Sequence, residues 1–347
     1  MVDHSADISR ALEVLGEAGA IASDRPPIKV IPTSNPIIND IVFACGGIPL
    51  GRIIELYAKE SVGKSTFAYW LLAQAQAAGH TVALWDAEGA YVASYGASCG
   101  INNDTLILPR FFHGEEGLDQ MKLLIATGAI SLGVIDAMPA LQPLLNVEQI
   151  AGERITMNKN LERAKMYTRF FNDMMGGFKI KPPGKNQRFV KDSGGREKRK
   201  IYETDTTLIF VNHAKTAIGV MYGDKIYTPG GDAINFASSL RIGMTHLKKK
   251  MTKGSEKKAR ELQYKLIKIK AVKNKLGIPF GETTIKMFPD GKIEPFDDRI
   301  EEDDEEFNEF PEEPEVEFEA EELSPEEKRA ARRKARVLKR KTKTTEE

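Results

Sequence analysis

The chain has 347 residues, two cysteines, and 50 Lys and Arg residues that are balanced by 50 Asp and Glu residues. Two cysteines suggest no disulfide framework and indicate an intracellular protein, and no apolar run approaches the roughly 18 residues of a membrane span. Because residues 1–4 lack a basic segment and an apolar one, we expect neither a signal peptide nor a membrane span. The net charge of zero hides a basic body, because residues 1–296 carry a net +9, and this excess predicts a surface that binds a polyanion.

The chain begins with a candidate amphipathic helix over residues 5–20, which places Ile8, Leu12 and Leu15 on one face. A linker over residues 23–27 follows, so this helix has little to pack on within its own domain. We expect it to dock on a neighbouring subunit.

A phosphate-binding loop is the strongest local signal. The apolar run 52–57 predicts a buried strand, and residues 64–78 predict a helix that ends before Gly79. Loop N–H groups cradle phosphates, Lys64 adds a positive charge and the Ser65 hydroxyl can ligate Mg²⁺. The nucleotide-binding residues are therefore expected to be Glu60, Ser61, Val62, Gly63, Lys64, Ser65 and Thr66. The alternative is a chance Gly-Lys-Ser before a core helix.

One position departs from the usual motif, which begins with Gly where this chain has Ala58. If the turn requires a positive φ there, Ala costs about 1 kcal/mol more than Gly.

Two carboxylates follow predicted strands. The run 81–85 closes on Asp86-Ala87-Glu88, and the run 132–136 ends in Asp136, about 70 residues after the phosphate loop. Ligands bind at the carboxyl ends of parallel strands. Glu88 is therefore a candidate base that orients or deprotonates water, and Asp136 is a candidate Mg²⁺-associated carboxylate. A loop carboxylate that caps the next segment is the alternative for Glu88.

The next part of the chain is more basic. Residues 178–200 carry nine bases against two acids, which predicts a mobile basic excursion or a hairpin. A predicted strand over 207–211 leads to Asn212-His213, where His213 is either a γ-phosphate contact or a structural residue.

The loop 214–231 contains apolar residues beside bases, which suits insertion between nucleotide bases, and a buried hairpin is the alternative. Its candidate DNA-binding residues are Lys215, Ile218, Gly219, Val220, Met221 and Tyr222.

The last part of the predicted body and the tail differ sharply in charge. The runs 240–247 and 266–272 predict antiparallel strands around a basic turn over 248–260. Residues 297–327 then carry a net charge of −17, and residues 328–347 carry +8. We interpret them as a disordered tail that competes for the polyanion-binding surface, or as a solvated tail that only improves solubility.

Together these motifs resemble the RecA family of DNA strand-exchange ATPases over about residues 30–296. The resemblance is carried, in order, by GGIPLGRIIELYAKESVGKST, DAEGAYVASYGASCGI, LGVIDAMPAL, IFVNHAKTAIGVMYG, TPGGDAINFASSLRI and KAVKNKLGIPF. Where bacterial members have Gln, this chain has His213. Phage recombinases of the UvsX type share its Asn-His pair, so the resemblance points to a phage-type recombinase.

The resemblance implies roles for residues at the nucleotide. Glu88 matches the base that activates water, Asp136 the Mg²⁺-associated carboxylate, and Tyr95 the aromatic residue that stacks on adenine. The implied catalytic set is Glu88, Lys64, His213, Lys273 and Lys275.

It also implies roles beyond the nucleotide site. His213 takes the place of the residue that senses the γ-phosphate and signals to the second DNA-binding loop, about 214–230. Lys273 and Lys275 match the pair that reaches the ATP of a neighbouring subunit. The first DNA-binding loop falls near 148–159, where no contact residue is assigned.

The expected fold is therefore an α/β RecA-like P-loop ATPase core with a twisted, mostly parallel sheet. Residues 1–32 would form an N-terminal oligomerisation arm, residues 33–296 the core with a basic insertion at 178–200, and residues 297–347 the charged tail. We expect this tail to stand in place of the compact C-terminal domain of the family.

The implied function is ATP- and Mg²⁺-dependent filament assembly on single-stranded DNA, with homologous pairing and strand exchange in DNA recombination and repair. Expected partners are single- and double-stranded DNA, further copies of the chain in a helical filament, a single-strand-binding protein and a recombination mediator. No membrane is expected, and the location would be the cytoplasm of a bacterial cell or phage-infected host. The alternatives are a hexameric DnaB-type helicase motor and a weakly hydrolysing RecA-like mediator, to which Ala58 lends weight.

Overall fold

The structure is a computed structural model that describes residues 5–15, 27–148, 159–174, 189–191, 197–199, 205–216, 226–251, 261–296 and 308–309. The chain divides into two units, Met1–Phe307 and Asn308–Glu347. In the second unit the structure describes a two-residue strand. The domain boundaries expected at residues 32 and 296 remain predictions.

The described α-helices, in chain order, are α1 Ser5–Leu15, α2 Lys64–Ala77, α3 Ala93–Ser98, α4 Gly114–Thr127, α5 Leu144–Glu148, α6 Lys159–Met174 and α7 Ala233–Ala237. A π-helix, Ile38–Val42, and a 3-10 helix, Met138–Ala140, are also present. The first eight strands are β1 Val30–Ile31, β2 Ile48–Pro49, β3 Ile53–Ala58, β4 Val82–Asp86, β5 Leu106–Ile107, β6 Leu132–Asp136, β7 Phe189–Lys191 and β8 Glu197–Arg199. The remaining strands are β9 Thr207–His213, β10 Lys215–Thr216, β11 Ile226–Tyr227, β12 Leu240–Met251, β13 Leu262–Asn274, β14 Glu282–Met287, β15 Ile293–Pro295 and β16 Asn308–Glu309.

Nine strands of the first unit form one sheet in the order β15-β14-β13-β12-β3-β9-β6-β4-β5. Neighbours from β12 to β5 are parallel, whereas β12 to β15 pair antiparallel. The mostly parallel sheet predicted from the sequence is confirmed, with an antiparallel extension on one side. The carboxyl ends of β3, β4, β6 and β9 lie along one edge, which is where ligands bind in such sheets.

The two faces of the sheet pack against different helices. Alternation along β3 directs Ile54 and Leu56 to the face that carries α2, and Ile53 to the face that carries α4 and α6. By the same alternation Glu55 lies on the second face, where its side chain is fully buried. A charged residue therefore lies in the core beneath the strand that leads to the phosphate loop.

Some predicted boundaries are wrong. The basic turn expected over 248–260 is shorter, because β12 continues to Met251 and pairs with β13 up to Leu262. Strand β9 also continues through His213, because its pairing with β3 extends to Ala58. Tertiary pairing thus prolongs strands past the point where their apolar pattern weakens.

The charged appendages are described only in part. Helix α1 is largely exposed, with Ile8 45% and Val14 81% exposed, and residues 16–20 of the predicted helix lie outside the described residues. Strands β7 and β8 pair antiparallel, as expected for the hairpin alternative of the basic excursion. None of the helices that the structure describes is both long and apolar enough to cross a membrane.

Candidate functional site

The phosphate loop connects β3 to α2 at the ligand-binding edge. Gly63 precedes the helix with φ 115° and ψ 27°, a left-handed conformation that Gly adopts at little cost. Ser61 is also left-handed, with φ 60°. Ala58 has no positive φ and pairs as a strand residue with His213 and Met244. The strain considered for Ala58 is therefore absent, because the strand continues through this position before the loop turns.

The Lys64 side chain is held inside the loop. Its residue is only 7% exposed, and its Nζ donates a hydrogen bond to the Lys59 carbonyl oxygen at 2.8 Å. Burial lowers the pKa of Lys64, while the charges of Asp136, Glu88 and Glu60 oppose this effect. The amino group of Lys64 therefore lies near three acids, within the loop predicted to bind phosphate.

Asp136 ends β6 directly beside Asp86 at the end of β4. Burial raises the pKa of Asp136 to about 6, while hydrogen bonds with Ser65 and Tyr69 act in the opposite direction. The structure therefore brings together the two residues predicted to bind Mg²⁺, Ser65 and Asp136. Among the described residues, no group of three or more His, Cys, Asp and Glu side chains forms a metal site by itself. One hydroxyl and one carboxylate suit an ion that also binds phosphate and water.

The predicted base and the predicted γ-phosphate sensor are neighbours. Glu88 Oε1 lies 3.6 Å from His213 Nε2, and both side chains are about 40% exposed. Burial lowers the pKa of His213, with a further contribution from the Lys64 charge, although Glu88 opposes the shift. The shift favours the neutral form of the imidazole beside Glu88.

Tyr95 on α3 contacts the helix that follows the phosphate loop. Its hydroxyl oxygen lies 2.8 Å from Thr66 Oγ1, and its ring packs edge-on against Tyr69 at 6.5 Å between centroids. This places the predicted adenine-stacking ring beside the residues predicted to hold the phosphates.

Two further residues contact the loop from the antiparallel side of the sheet. Lys265 on β13 donates from Nζ to the Ser61 carbonyl oxygen at 3.1 Å. Met287 on β14 packs so closely on Gly63 that a Cβ there would lie 2.4 Å from its sulfur. Nothing in the sequence pattern indicated either contact, because both join residues more than 200 positions apart.

Lys273 and Lys275 bind α7 rather than the phosphate loop of their own chain. Lys273 Nζ donates to the Asn235 carbonyl, and Lys275 Nζ donates to the Phe236 carbonyl at 3.1 Å. Burial, followed by the charges of Lys275 and Arg241, lowers the pKa of Lys273 to about 8. The nucleotide site of a single chain therefore lacks this pair.

The base of the predicted DNA-binding loop is a short antiparallel ladder, in which Lys215 pairs with Tyr227 and Thr216 with Ile226. Lys215 is exposed. The other candidate contacts, Ile218, Gly219, Val220, Met221 and Tyr222, lie outside the described residues, as do positions 149–158 of the expected first loop.

A glycine-bearing loop, a buried lysine at a helix N-terminus and a strand-end carboxylate define an α/β P-loop protein of the nucleoside-triphosphate-binding class. The family model described as the RecA N-terminal domain matches residues 15–293. The chain belongs to the RecA family.

Curated relatives agree with this assignment. The chain is 32% identical over 266 residues to "Protein RecA" of Deinococcus radiodurans, which covers 77% of this chain and 64% of that protein. It is 34% identical over 267 residues to "Protein RecA" of Bacteroides thetaiotaomicron, with 76% and 70% covered. It is 34% identical over 256 residues to "Protein RecA" of Mycolicibacterium gilvum, with 74% and 63% covered. The chain thus spans less than two thirds of the length of the first of these relatives.

Proposed function

We propose that this chain is an ATP-dependent recombinase that assembles on single-stranded DNA and carries out homologous pairing and strand exchange. The observation that supports this most strongly is the joint position of Lys64, Asp136, Glu88 and His213 at one sheet edge, in a member of the RecA family. In recombination and repair, such a protein would use ATP binding to hold DNA and hydrolysis to release it.

ATP would be bound by residues 60–66, with the adenine ring against Tyr95. The residues present fit Mg²⁺, because the buried Asp136 carboxylate and Ser65 hydroxyl already meet. Bound Mg²⁺ would offset the charge of the β- and γ-phosphate oxygens. Glu88 is the group positioned to accept a proton from the attacking water, and the neutral His213 beside it would report the presence of the γ-phosphate.

A single chain supplies only one side of this site. Lys273 and Lys275 would leave their α7 carbonyl contacts and approach the γ-phosphate of a neighbouring copy. ATP would then bridge two subunits, so filament assembly and ATP binding would be coupled. Loop 214–231 of each subunit would contact DNA through Lys215 and the apolar residues 218–222. The N-terminal arm would add a second subunit contact.

Two alternatives use the same fold. A hexameric helicase-type motor forms closed rings, whereas a recombinase forms open helical filaments. A weakly hydrolysing mediator would bind DNA or a recombinase with little turnover. The extended conformation of Ala58 removes the structural reason for expecting weak nucleotide binding.

The test is strand exchange by the purified full chain, with ATP hydrolysis measured in parallel with and without single-stranded DNA. We expect DNA-stimulated hydrolysis and ATP-dependent strand exchange. Hydrolysis with duplex unwinding but without strand exchange would support the motor. DNA binding without stimulated hydrolysis would support the mediator.

The proposal includes a cytoplasmic location, where the DNA substrate is, and exchange of single-stranded DNA with a single-strand-binding protein. A mediator protein and a phage rather than bacterial source remain predictions from the sequence.

A further inference from the structure

A row of polar side chains crosses four adjacent strands beneath the candidate site. Lys273 on β13 pairs in register with Arg241 on β12, and Arg241 pairs with Glu55 on β3. Asn212 on β9 completes the row through its side chain, because its Nδ2 donates to Glu55 Oε1 at 2.9 Å. Most of the central sheet is apolar, so a continuous polar row here is a distinct feature.

Glu55 is the centre of this row. Its residue has zero exposure, and its second carboxylate oxygen accepts a hydrogen bond from Arg241 Nε at 2.6 Å. The Arg241 guanidinium also lies over the Tyr57 ring at 5.2 Å, which restricts its orientation. Burying a carboxylate costs free energy unless its partners bind it. The charge of Glu55 therefore favours the arrangement in which Asn212 and Arg241 both bind it.

One end of the row leads to the nucleotide site. The Asn212 Oδ1 accepts a hydrogen bond from the His213 backbone N–H at 2.9 Å. Any displacement of His213 along β9 would therefore disturb the amide that binds Glu55. His213 itself lies beside Glu88.

The other connections lead to the end of the DNA-binding loop. The Asn212 Nδ2 also donates to the Pro229 carbonyl at 3.0 Å, and the Arg241 Nη2 donates to Thr228 Oγ1 at 3.4 Å. Thr228 and Pro229 directly follow β11, the strand that closes the loop base. The same two side chains that bind Glu55 thus also fix the point where the loop rejoins the core.

We propose that Glu55 is a positioning residue that couples nucleotide binding at His213 to the conformation of the DNA-binding loop at Thr228 and Pro229. It acts through Asn212 and Arg241 and touches neither ATP nor DNA. This inference rests on the proposed function, because it assigns a residue to the coupling that a recombinase requires.

The test measures the affinity for DNA twice, once in the presence of a slowly hydrolysed ATP analogue and once in the presence of ADP. Both measurements are made for the full chain and for Glu55→Gln. The ratio of the two affinities measures the coupling, which in allosteric proteins is roughly 5–150-fold. Glu55→Gln keeps the shape of the side chain and removes its charge. We expect Glu55→Gln to bind the ATP analogue with an affinity within about twofold of that of the unchanged chain. Its coupling ratio should fall about tenfold or approach one.

Thr207→Val is the matched control. Thr207 is also fully buried on β9, and its Oγ1 donates to the Pro49 carbonyl at 2.6 Å, at the opposite end of the strand from Asn212. It should lower the melting temperature and leave the coupling ratio unchanged. If Glu55 had only a structural role, Glu55→Gln would likewise lower the melting temperature and leave the coupling ratio unchanged. An unchanged ratio in Glu55→Gln therefore overturns the proposal.

Two milder variants decide the matter if Glu55→Gln does not fold. Arg241→Lys keeps the positive charge but cannot bind Glu55 and Thr228 together, and Thr228→Val removes only the loop-side acceptor. Both should reduce the coupling ratio while analogue binding persists. If neither does, the proposal is wrong. If the unchanged chain binds DNA equally with ATP analogue and ADP, the proposed function fails first, and this inference fails with it.

Discussion

The phosphate-loop edge of the sheet and the carboxyl end of β13 both carry lysines expected to bind ATP, but they differ in what the isolated chain provides. Lys64 is buried among Asp136, Glu88 and Glu60, in a setting ready to receive phosphate charge. Lys273 and Lys275 bind carbonyl groups of α7. In the proposed function, the fold of one chain assembles the phosphate-loop site, whereas Lys273 and Lys275 reach a nucleotide only in a neighbouring copy. Catalysis should then depend on both groups of lysines, while nucleotide binding by one chain should depend on Lys64 alone.

The largest effect is expected at the phosphate-loop edge. Glu88→Gln should keep ATP and DNA binding but reduce turnover by roughly 10²–10⁴-fold, because it removes the proton acceptor. The measurement is steady-state ATP hydrolysis with single-stranded DNA. Asp119→Asn, a change of an exposed carboxylate on α4, serves as the control and should leave turnover unaffected. Turnover near that of the unchanged chain would remove Glu88 from this role.

Changes at the carboxyl end of β13 should cause a smaller loss of hydrolysis, which depends on assembly. Lys273→Ala combined with Lys275→Ala should leave nucleotide binding by monomers intact and reduce DNA-stimulated hydrolysis about tenfold or more, because two charge-assisted contacts are lost. Mixing this variant with Lys64→Ala should restore part of the activity. Some interfaces then combine an intact Lys64 with intact lysines from the neighbour, so no recovery in mixed assemblies would contradict action between subunits.

The contribution of Lys273 should also depend on pH. The pKa of Lys273 is lowered to about 8, so its positive charge is lost as pH rises through about 8. ATP-dependent assembly should therefore decline several-fold between about pH 7 and 9, as followed by light scattering. Lys273→Arg keeps its charge throughout and should flatten this decline. The same decline in the Arg variant would show that another group is responsible.

The smallest effect is expected from the charged tail, most of which lies outside the described residues. Ending the chain after Pro295 should strengthen duplex DNA binding a few-fold at low salt, because residues 297–327 would no longer compete for the basic surface. Salt should reduce the gain. Removing only residues 328–347 should weaken binding if it frees the acidic segment to compete. Duplex affinity unchanged in both truncations would leave the solubility interpretation.

Local patterns were sufficient to predict the phosphate loop, the strand-end carboxylates and the parallel core. The loop and its flanking elements follow from a contiguous stretch, and Asp136 follows from the apolar run before it. The sequence was misleading at Ala58, because the strand pairing that keeps this residue extended comes from β9 and β12. Backbone conformation at that point is therefore a tertiary property.

The polar row could not be predicted from the sequence. In the sequence, Glu55 is a single acid within an apolar run, and Asn212 and Arg241 are more than 150 positions away from it. Only the strand order and register bring the three side chains together. The Lys265 contact with Ser61 has the same origin.

Electron microscopy of the full chain with single-stranded DNA and a slowly hydrolysed ATP analogue tests the central claim most directly. Lys64 of one subunit, and Lys273 and Lys275 of the next, would bind the same nucleotide from opposite sides. We therefore predict open helical filaments with the nucleotide between successive subunits, and few or no filaments with ADP. Closed rings, or filaments equally abundant with ADP, would contradict this account.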